Sequence, residues 1–203
     1  MRKAAAFLGL FLLFFGPLQA ADLGYDFLAA RQAYAEGDAA RLAEYSRDLK
    51  GTPLEPYADY WRMGMNLQDG AGVEAFLARY DGSLLAENLR KQWLKSVAKS
   101  GDWQTFYLQY PAVSSPDMEL LCDWIQARRS LGQNDAIDAA VPLWFSPKDR
   151  PQSCEPLFEA LIDDGSITDQ DVWARIRMIL DSGDITLARR VNGFLPDSQA
   201  MKD

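Results

Sequence analysis

Carboxylates are the side chains in this sequence whose types and spacing could do chemistry. A site that cleaves a glycan needs two carboxyl groups in different environments, one of them kept protonated in a partly apolar pocket. Glu155 and Glu159 share a helix face at a spacing of i, i+4, next to Phe158. Because single glutamates on amphipathic helices usually face solvent, an ordinary surface position is the favoured alternative for each candidate. The candidates by residue type are Glu74, Glu87, Glu119, Glu155 and Glu159.

The composition excludes several other kinds of site. The 203 residues include no histidine and two cysteines, so the chain cannot build a Ser-His-Asp or Cys-His site, or a Cys₄ metal site. Its 21 Lys and Arg against 29 Asp and Glu give a net charge of −8, which argues against binding to nucleic acid. Neither a phosphate-binding G-x-x-x-x-G-K loop nor a G-x-S-x-G nucleophile motif occurs. We therefore predict no catalytic residue, metal ligand or cofactor site.

The N-terminus has the pattern of a secretory signal peptide. Two basic residues precede an apolar run over residues 4–15, and Pro17 follows that run. The alternative is a membrane anchor, but the run is shorter than the roughly 20 residues that a spanning helix needs. We predict a signal peptide over residues 1–21, cleaved near Ala20 or Ala21. The mature protein is then expected in a periplasm or in the exterior, with no stable membrane span.

The two cysteines, Cys122 and Cys154, are interpreted in the light of export. In an oxidising compartment a disulfide persists, and an exclusive pair in an exported chain favours one. The alternative is two buried free thiols that pack as small apolar side chains. The sequence favours the Cys122–Cys154 disulfide.

The mature chain is expected to be all-α. Short amphipathic stretches recur, each ended by a glycine and restarted by a residue that caps helices, and no convincing strand pattern occurs. At four junctions a glycine that tolerates left-handed backbone stands beside a capping side chain. These junctions are Gly37-Asp38, Gly101-Asp102, Gly132-Gln133-Asn134 and Gly183-Asp184. The first three glycines are separated by 64 and 31 residues, close to two steps and one step of about 32, which is typical of two-helix solenoid units. The fourth lies 51 residues further on and departs from this period.

The predicted architecture is an α-superhelix or solenoid of antiparallel helical hairpins, with about ten helices. Residues 22–203 show no internal domain boundary and are predicted to form one domain. Ser115 is expected to cap one helix, with Pro116 and Asp117 in its first turn. Three later helices are expected at about 152–164, 168–181 and 184–192.

Six tryptophans are spread along the predicted helices. They could line a sugar-binding groove, but large aromatic residues on helices are more often anchors between packed helices. We favour the packing role, and expect Trp93, Trp124 and Trp173 to be largely buried.

Three stretches resemble a known family. Thr52–Trp61 is similar to a Pro-Leu-x-Pro-Tyr-x-x-Tyr element, and residues 89–94 give Leu-Arg-x-x-Trp-Leu, followed by a Gly-Asp-Trp that ends at Trp103. A Cys-x-Pro-Leu-Phe begins at Cys154. In this order, over about residues 50–190, they resemble the N-terminal helical domain of soluble lytic murein transglycosylases. These are periplasmic enzymes that cleave MurNAc–GlcNAc glycan strands of peptidoglycan to 1,6-anhydro products.

The resemblance implies an α-superhelical domain, followed in the full enzyme by a lysozyme-like catalytic domain, and it also suggests that the two cysteines are bridged. The family's catalytic glutamate lies in a Glu-Ser motif, and no Glu-Ser pair occurs here, so no catalytic residue is carried over. We therefore expect an incomplete relative, either a truncated gene product or a natural short form. It would be inactive alone and would act on peptidoglycan as a scaffold or strand-guiding part. The alternative is a free-standing periplasmic helical-repeat adaptor that binds a protein partner.

Overall fold

The computed structural model describes the backbone of residues 18–201 and the side chains of residues 22–201. Residues 1–17 of the predicted signal peptide lie outside this range. Eleven α-helices and no strand occur in the described part, which confirms the predicted all-α fold class. The helices are α1 (Leu18–Glu36), α2 (Ala39–Asp48), α3 (Glu55–Met65), α4 (Gly70–Arg79), α5 (Leu84–Ser100), α6 (Trp103–Gln109), α7 (Met118–Ser130), α8 (Val141–Trp144), α9 (Glu155–Asp163), α10 (Asp169–Asp181) and α11 (Ile185–Asn192).

Short 3₁₀ helices occupy three of the connections, at Tyr110–Ala112, Asn134–Ala140 and Gln152–Cys154. Between residues 18 and 201, none of the helices combines the length and the apolar character that a membrane crossing requires. The chain divides into two compact units, and the boundary between them falls between Met65 and Asn66. That the mature chain is a single domain stays a prediction.

The first unit is made of α1, α2 and α3. Gly37, at φ 73°, allows the chain to turn at the end of α1. The Asp38 carboxylate then caps α2 by accepting a hydrogen bond from the Arg41 amide in its first turn, at 3.0 Å. So short a connection makes α1 and α2 antiparallel neighbours, and α3 packs against both. The Trp61 ring is buried, with its centroid 5.2 Å from that of Phe27.

The second unit begins with a run of sequential contacts. Helix α4 packs against α5, and α5 packs against both α6 and α7. Trp93 is buried, as expected, and lies beside Gly70 at the start of α4. Trp124 and Trp173 are half-buried. The Trp124 ring stacks on Tyr110, with 4.6 Å between centroids.

The remaining helices of this unit surround Trp144. Its side chain is fully buried, its indole Nε1 donates to the backbone oxygen of Asp171 at 3.2 Å, and the Phe158 ring meets it edge-on. Arg175 is also buried, with its guanidinium carbon 4.5 Å from the Trp144 ring centroid and 5.2 Å from that of Phe158. Burial, followed by the positive charge of Arg150, lowers the pKa of Arg175 to about 10.

Two predicted caps are wrong. Helix α7 is capped by Asp117, whose carboxylate accepts from the Leu120 amide at 3.0 Å, rather than by Ser115. The Ser115 amide instead donates to the Glu87 carboxylate on α5, so this stretch is bound to another helix before α7 begins. At the second site, Gln133 makes no side-chain cap to the 3₁₀ helix that follows.

The side chain of Gln133 is engaged elsewhere. Its oxygen accepts from Arg128 Nε at 2.8 Å, and its nitrogen donates to the Tyr107 hydroxyl at 3.3 Å. The preceding Gly132 is left-handed, as predicted, with φ 89°. The left-handed glycine was thus predicted correctly at this junction, whereas the cap was not, because the Gln133 side chain is engaged by Arg128 and Tyr107.

Candidate functional site

A cleft of about 420 Å³ lies between α5, α7 and the 3₁₀ helix Gln152–Cys154, within the second unit. Its lining combines opposite charges, an amide and an aromatic face, and includes Lys95, Trp103, Glu119, Asp123, Gln126 and Ser153. Of the carboxylates singled out from the sequence, Glu119 belongs to this lining. Trp103 is the tryptophan that meets the cleft.

Trp103 is positioned by a tight helix–helix turn. Helix α5 starts after the cap Ser83 and ends at Gly101, whose φ of 76° few other residues adopt without strain. Asp102 then caps α6 by accepting from the Thr105 amide at 3.1 Å. Because Trp103 is the first residue of α6, this turn places its half-buried indole at the edge of the cleft.

Lys95 joins the two helices that line the cleft. Its Nζ lies 2.7 Å from Asp117 Oδ2 and 2.7 Å from Glu119 Oε2. Burial favours the neutral amine, but the hydrogen bonds to these two carboxylates outweigh it and raise the pKa of Lys95. Lys95 is therefore protonated and links α5 to α7 through ion pairs, and the Glu119 carboxylate is engaged in one of them.

Asp123 is the unusual acid of the cleft. It lies one helical turn beyond Glu119, and only 4% of it is exposed. Burial, followed by the negative charges of Glu119 and Asp117, raises the pKa of Asp123 to about 7, although Lys95 and Lys99 act in the opposite sense. Near neutral pH its carboxyl is about half protonated, so it can either donate or accept a hydrogen bond.

A disulfide fixes the wall opposite α5. The predicted Cys122–Cys154 bond is present, with an S–S distance of 2.03 Å and both residues fully buried. Gln126 Nε2 donates to the backbone oxygen of Ser153 at 2.5 Å, and Ser153 Oγ donates to the backbone oxygen of Glu119 at 3.2 Å. The short 3₁₀ helix is thus held to α7 by one covalent bond and two hydrogen bonds.

The reasoning from sequence missed Asp123, although a signal was present. Asp123 lies three residues after Leu120 and four before Ala127, and both of these are fully buried. Residues at that spacing share a helix face, so an aspartate there had to point toward the protein interior. An acid on an apolar face is more informative than one chosen by residue type alone.

Glu74 and Glu87 lie away from this cleft. Glu74 is exposed and accepts from Gln109 Nε2 at 3.2 Å. Glu87 faces Lys91 Nζ at 3.2 Å and accepts from the Ser114 and Ser115 amides. Although burial favours its protonated form, these donors prevail and lower the pKa of Glu87. It is a structural carboxylate that holds the start of α7 to α5.

Glu155 and Glu159 do share one face of α9, as predicted, and both are exposed. With Arg190 and Phe194 they line a separate open groove of about 520 Å³. Phe158, their predicted apolar neighbour, is buried in the core instead. The structure therefore distributes the five candidate glutamates over several surfaces and brings no pair of them into one cleft except this exposed one.

In the range that carries side chains, residues 22–201, no group of three or more cysteine, aspartate or glutamate side chains is arranged to hold a metal ion. The α5–α7 cleft offers hydrogen-bonding groups, an aromatic face and charges of both signs.

No family model matches the chain. Soluble lytic murein transglycosylases of Salmonella typhimurium and Escherichia coli are each 26% identical to it over 151 residues. Those residues are 73% of this chain and 23% of each relative. The chain thus spans about a quarter of the length of the curated relatives it matches.

Solved structures of lytic transglycosylases are also similar to this chain. The 70 kDa soluble lytic transglycosylase of Escherichia coli superposes with a TM-score of 0.71 at 22% identity, over 88% of this chain and 29% of that one. An inactive mutant of lytic transglycosylase Slt from Pseudomonas aeruginosa gives a TM-score of 0.68 at 28% identity, over 85% of this chain and 28% of that one. The fold expected from the resemblance is therefore confirmed.

Proposed function

We propose that this chain, a relative of a helical portion of the soluble lytic murein transglycosylases, is an exported scaffold that handles peptidoglycan. In this role it guides glycan strands and does not cleave them alone. The observation that carries this proposal is the extent of the likeness. It covers 85–88% of this chain and only 28–29% of the enzymes of known structure.

The five candidate glutamates support a non-catalytic role. In lytic transglycosylase chemistry, one glutamic acid protonates the glycosidic oxygen and then acts as a base while the sugar's 6-hydroxyl closes a 1,6-anhydro ring. Such an acid needs a raised pKa in a cleft that excludes bulk water. The pKa of Glu87 is lowered, Glu119 is paired with Lys95, and Glu74, Glu155 and Glu159 are exposed.

Binding to peptidoglycan must be specific if it occurs. The chain carries a net charge of −8, and peptidoglycan is itself rich in carboxylates, so bulk electrostatics oppose adsorption. Contacts would have to come from shaped polar clefts such as the one between α5 and α7. The expected compartment is the periplasm, reached through the predicted signal peptide.

Two measurements on the mature chain, residues 22–203, test the proposal. The protein is mixed with purified sacculi, and co-sedimentation is measured at low and at high salt. The supernatant is analysed by mass spectrometry for anhydro-muropeptides, with a full-length lytic transglycosylase as the positive control. We expect co-sedimentation that survives 0.3 M salt, and no anhydro products.

Each contrary result has a distinct meaning. Anhydro products that disappear in Asp123→Asn, or in Glu155→Gln or Glu159→Gln, would make this chain an enzyme in its own right. Failure to sediment with sacculi would refute strand guiding. It would favour the second hypothesis, an adaptor for a protein partner, which affinity capture from periplasmic extract would then have to identify.

A further inference from the structure

We propose that the α5–α7 cleft is a subsite for one uncharged N-acetylated amino sugar, with the Trp103 indole against the ring face and the Asp123 carboxyl hydrogen-bonded to its polar groups. This inference rests on the proposed function, since it names the part of a glycan strand that the scaffold would hold. It is carried by the size of the cleft, by its charge balance and by the unpartnered Asp123 carboxyl.

The size and lining suit a sugar ring. The cleft measures about 420 Å³, within the roughly 300–1,000 Å³ of typical small-molecule sites. A pyranose has an apolar face of C–H groups and a rim of hydroxyls, and an acetamido group adds one donor and one acceptor. Trp103 and Pro151 provide apolar surface, whereas Asp123, Gln126 and Gln152 provide polar surface.

The charges of the cleft point to a neutral ligand. Two acids, Glu119 and Asp123, are balanced by two bases, Lys95 and Lys99. Lys95 and Glu119 are already bound to each other at 2.7 Å, so neither is free to hold a ligand charge. A strongly charged ligand would therefore gain little binding free energy from charge–charge contacts here. A neutral ligand with several hydroxyls and an amide gives up no such contact.

Asp123 gives the independent sign that something binds. Its residue is 96% buried and yet its carboxyl reaches the cleft. Between residues 22 and 201 no hydrogen bond or ion pair engages this carboxyl, which meets the open cleft and is not enclosed as Arg175 Nε is. A buried polar group without a partner is costly, and native proteins seldom keep one unless a ligand or an ordered water completes it. The acetamido N–H of a sugar in the cleft would supply the missing donor.

The cleft is also preorganised. Asp123 follows Cys122 directly, and Cys154 ends the opposite wall, so the disulfide fixes the distance between the two sides. Gln126 and Ser153 are hydrogen-bonded across the same gap. Because the walls are already held, a weak neutral ligand does not have to order them, which preserves its affinity.

The test uses tri-N-acetylchitotriose as the probe, with cellotriose, which lacks acetamido groups, as the matched control. In ¹H–¹⁵N spectra of the mature chain, the acetylated probe should shift the Trp103 indole and Gln126 side-chain signals, and cellotriose should shift them at least tenfold less at equal concentration. Trp103→Ala and Asp123→Leu should each weaken binding at least tenfold. Trp173→Ala, another half-buried tryptophan remote from the cleft, should leave affinity within twofold.

The outcomes separate this inference from the proposed function. Sedimentation with sacculi together with no shift at Trp103 would overturn the subsite and leave strand guiding intact. Shifts confined to the groove of Glu155 and Glu159 would also overturn it. If Asp123→Leu fails to fold, the isosteric Asp123→Asn takes its place. That variant should retain binding but make it independent of pH between 5 and 9, whereas unchanged pH dependence would contradict the assignment.

Discussion

Replacing Asp123 by asparagine should stabilise this protein at alkaline pH, because the buried carboxyl is costly to ionise. The pKa of Asp123 in the folded protein is about 7, against 3.8 for an ordinary aspartate. Since the folded-state pKa is raised, the unfolded chain loses this proton first as pH increases. Folding stability is therefore intact below about pH 3.8, declines as pH rises toward 7, and is flat above that.

The size of the effect follows from the pKa difference. About 3 pKa units at about 1.36 kcal/mol each amount to roughly 4 kcal/mol in the fully ionised limit. Between pH 4.5 and 8 the expected loss is about 3 kcal/mol. The charged groups that act on Asp123 are Asp117, which caps α7, Glu119 on α7, and Lys95 and Lys99 on α5. All four are retained in Asp123→Asn.

Urea unfolding followed by circular dichroism, at pH 4.5 and at pH 8, measures this difference. The free energy of unfolding of Asp123→Asn minus that of the wild type should grow by about 3 kcal/mol across the interval. Asp81→Asn, in the exposed turn between α4 and α5, is the control and should give a constant difference. A constant difference for Asp123→Asn as well would refute the reasoning and show that Lys95 and Lys99 fully offset the burial.

Two further predictions concern the core of the second unit. Replacing both Cys122 and Cys154 by alanine removes a covalent bond between residues 32 positions apart, and should lower the free energy of unfolding by about 4 kcal/mol. A urea titration would measure this loss, and a loss below about 1 kcal/mol would contradict the loop-closure argument. Arg175→Met should leave the thermal midpoint unchanged or higher, because an apolar chain fills the same space between Trp144 and Phe158, whereas Arg175→Ala should destabilise by about 2 kcal/mol or more. Equal losses in both Arg175 variants would show that the guanidinium itself is needed.

Local signals in the sequence were sufficient for much of the fold. Gly101 and Asp102 were assigned correctly because a positive φ and a side-chain cap depend on only a few consecutive residues. The helix expected at about 168–181 is α10, and the structure adds that Thr168 caps it in a reciprocal pair with Asp171. The predicted cap at Ser115 failed because its amide is bound by Glu87, 28 residues earlier in the chain, and no local pattern carries that information.

The candidate site was predictable only in part. Glu119 was named for its residue type, but its pairing with Lys95 depends on how α5 packs against α7. The raised pKa of Asp123 depends in addition on the wall that the disulfide holds in place. Both properties come from contacts between elements distant in sequence. Helical periodicity could indicate that Asp123 points inward, but not what it meets there.

The presence of an acid at position 123 is itself an argument for binding. A leucine or an asparagine there would avoid the ionisation cost, and the neighbouring buried residues Leu120 and Ala127 show that this face accepts apolar side chains. Natural proteins keep such costly groups mainly where they act on something. A ligand that hydrogen-bonds to the Asp123 carboxyl would recover part of the cost only in the folded state, so it would raise the unfolding free energy as its concentration rises above Kd.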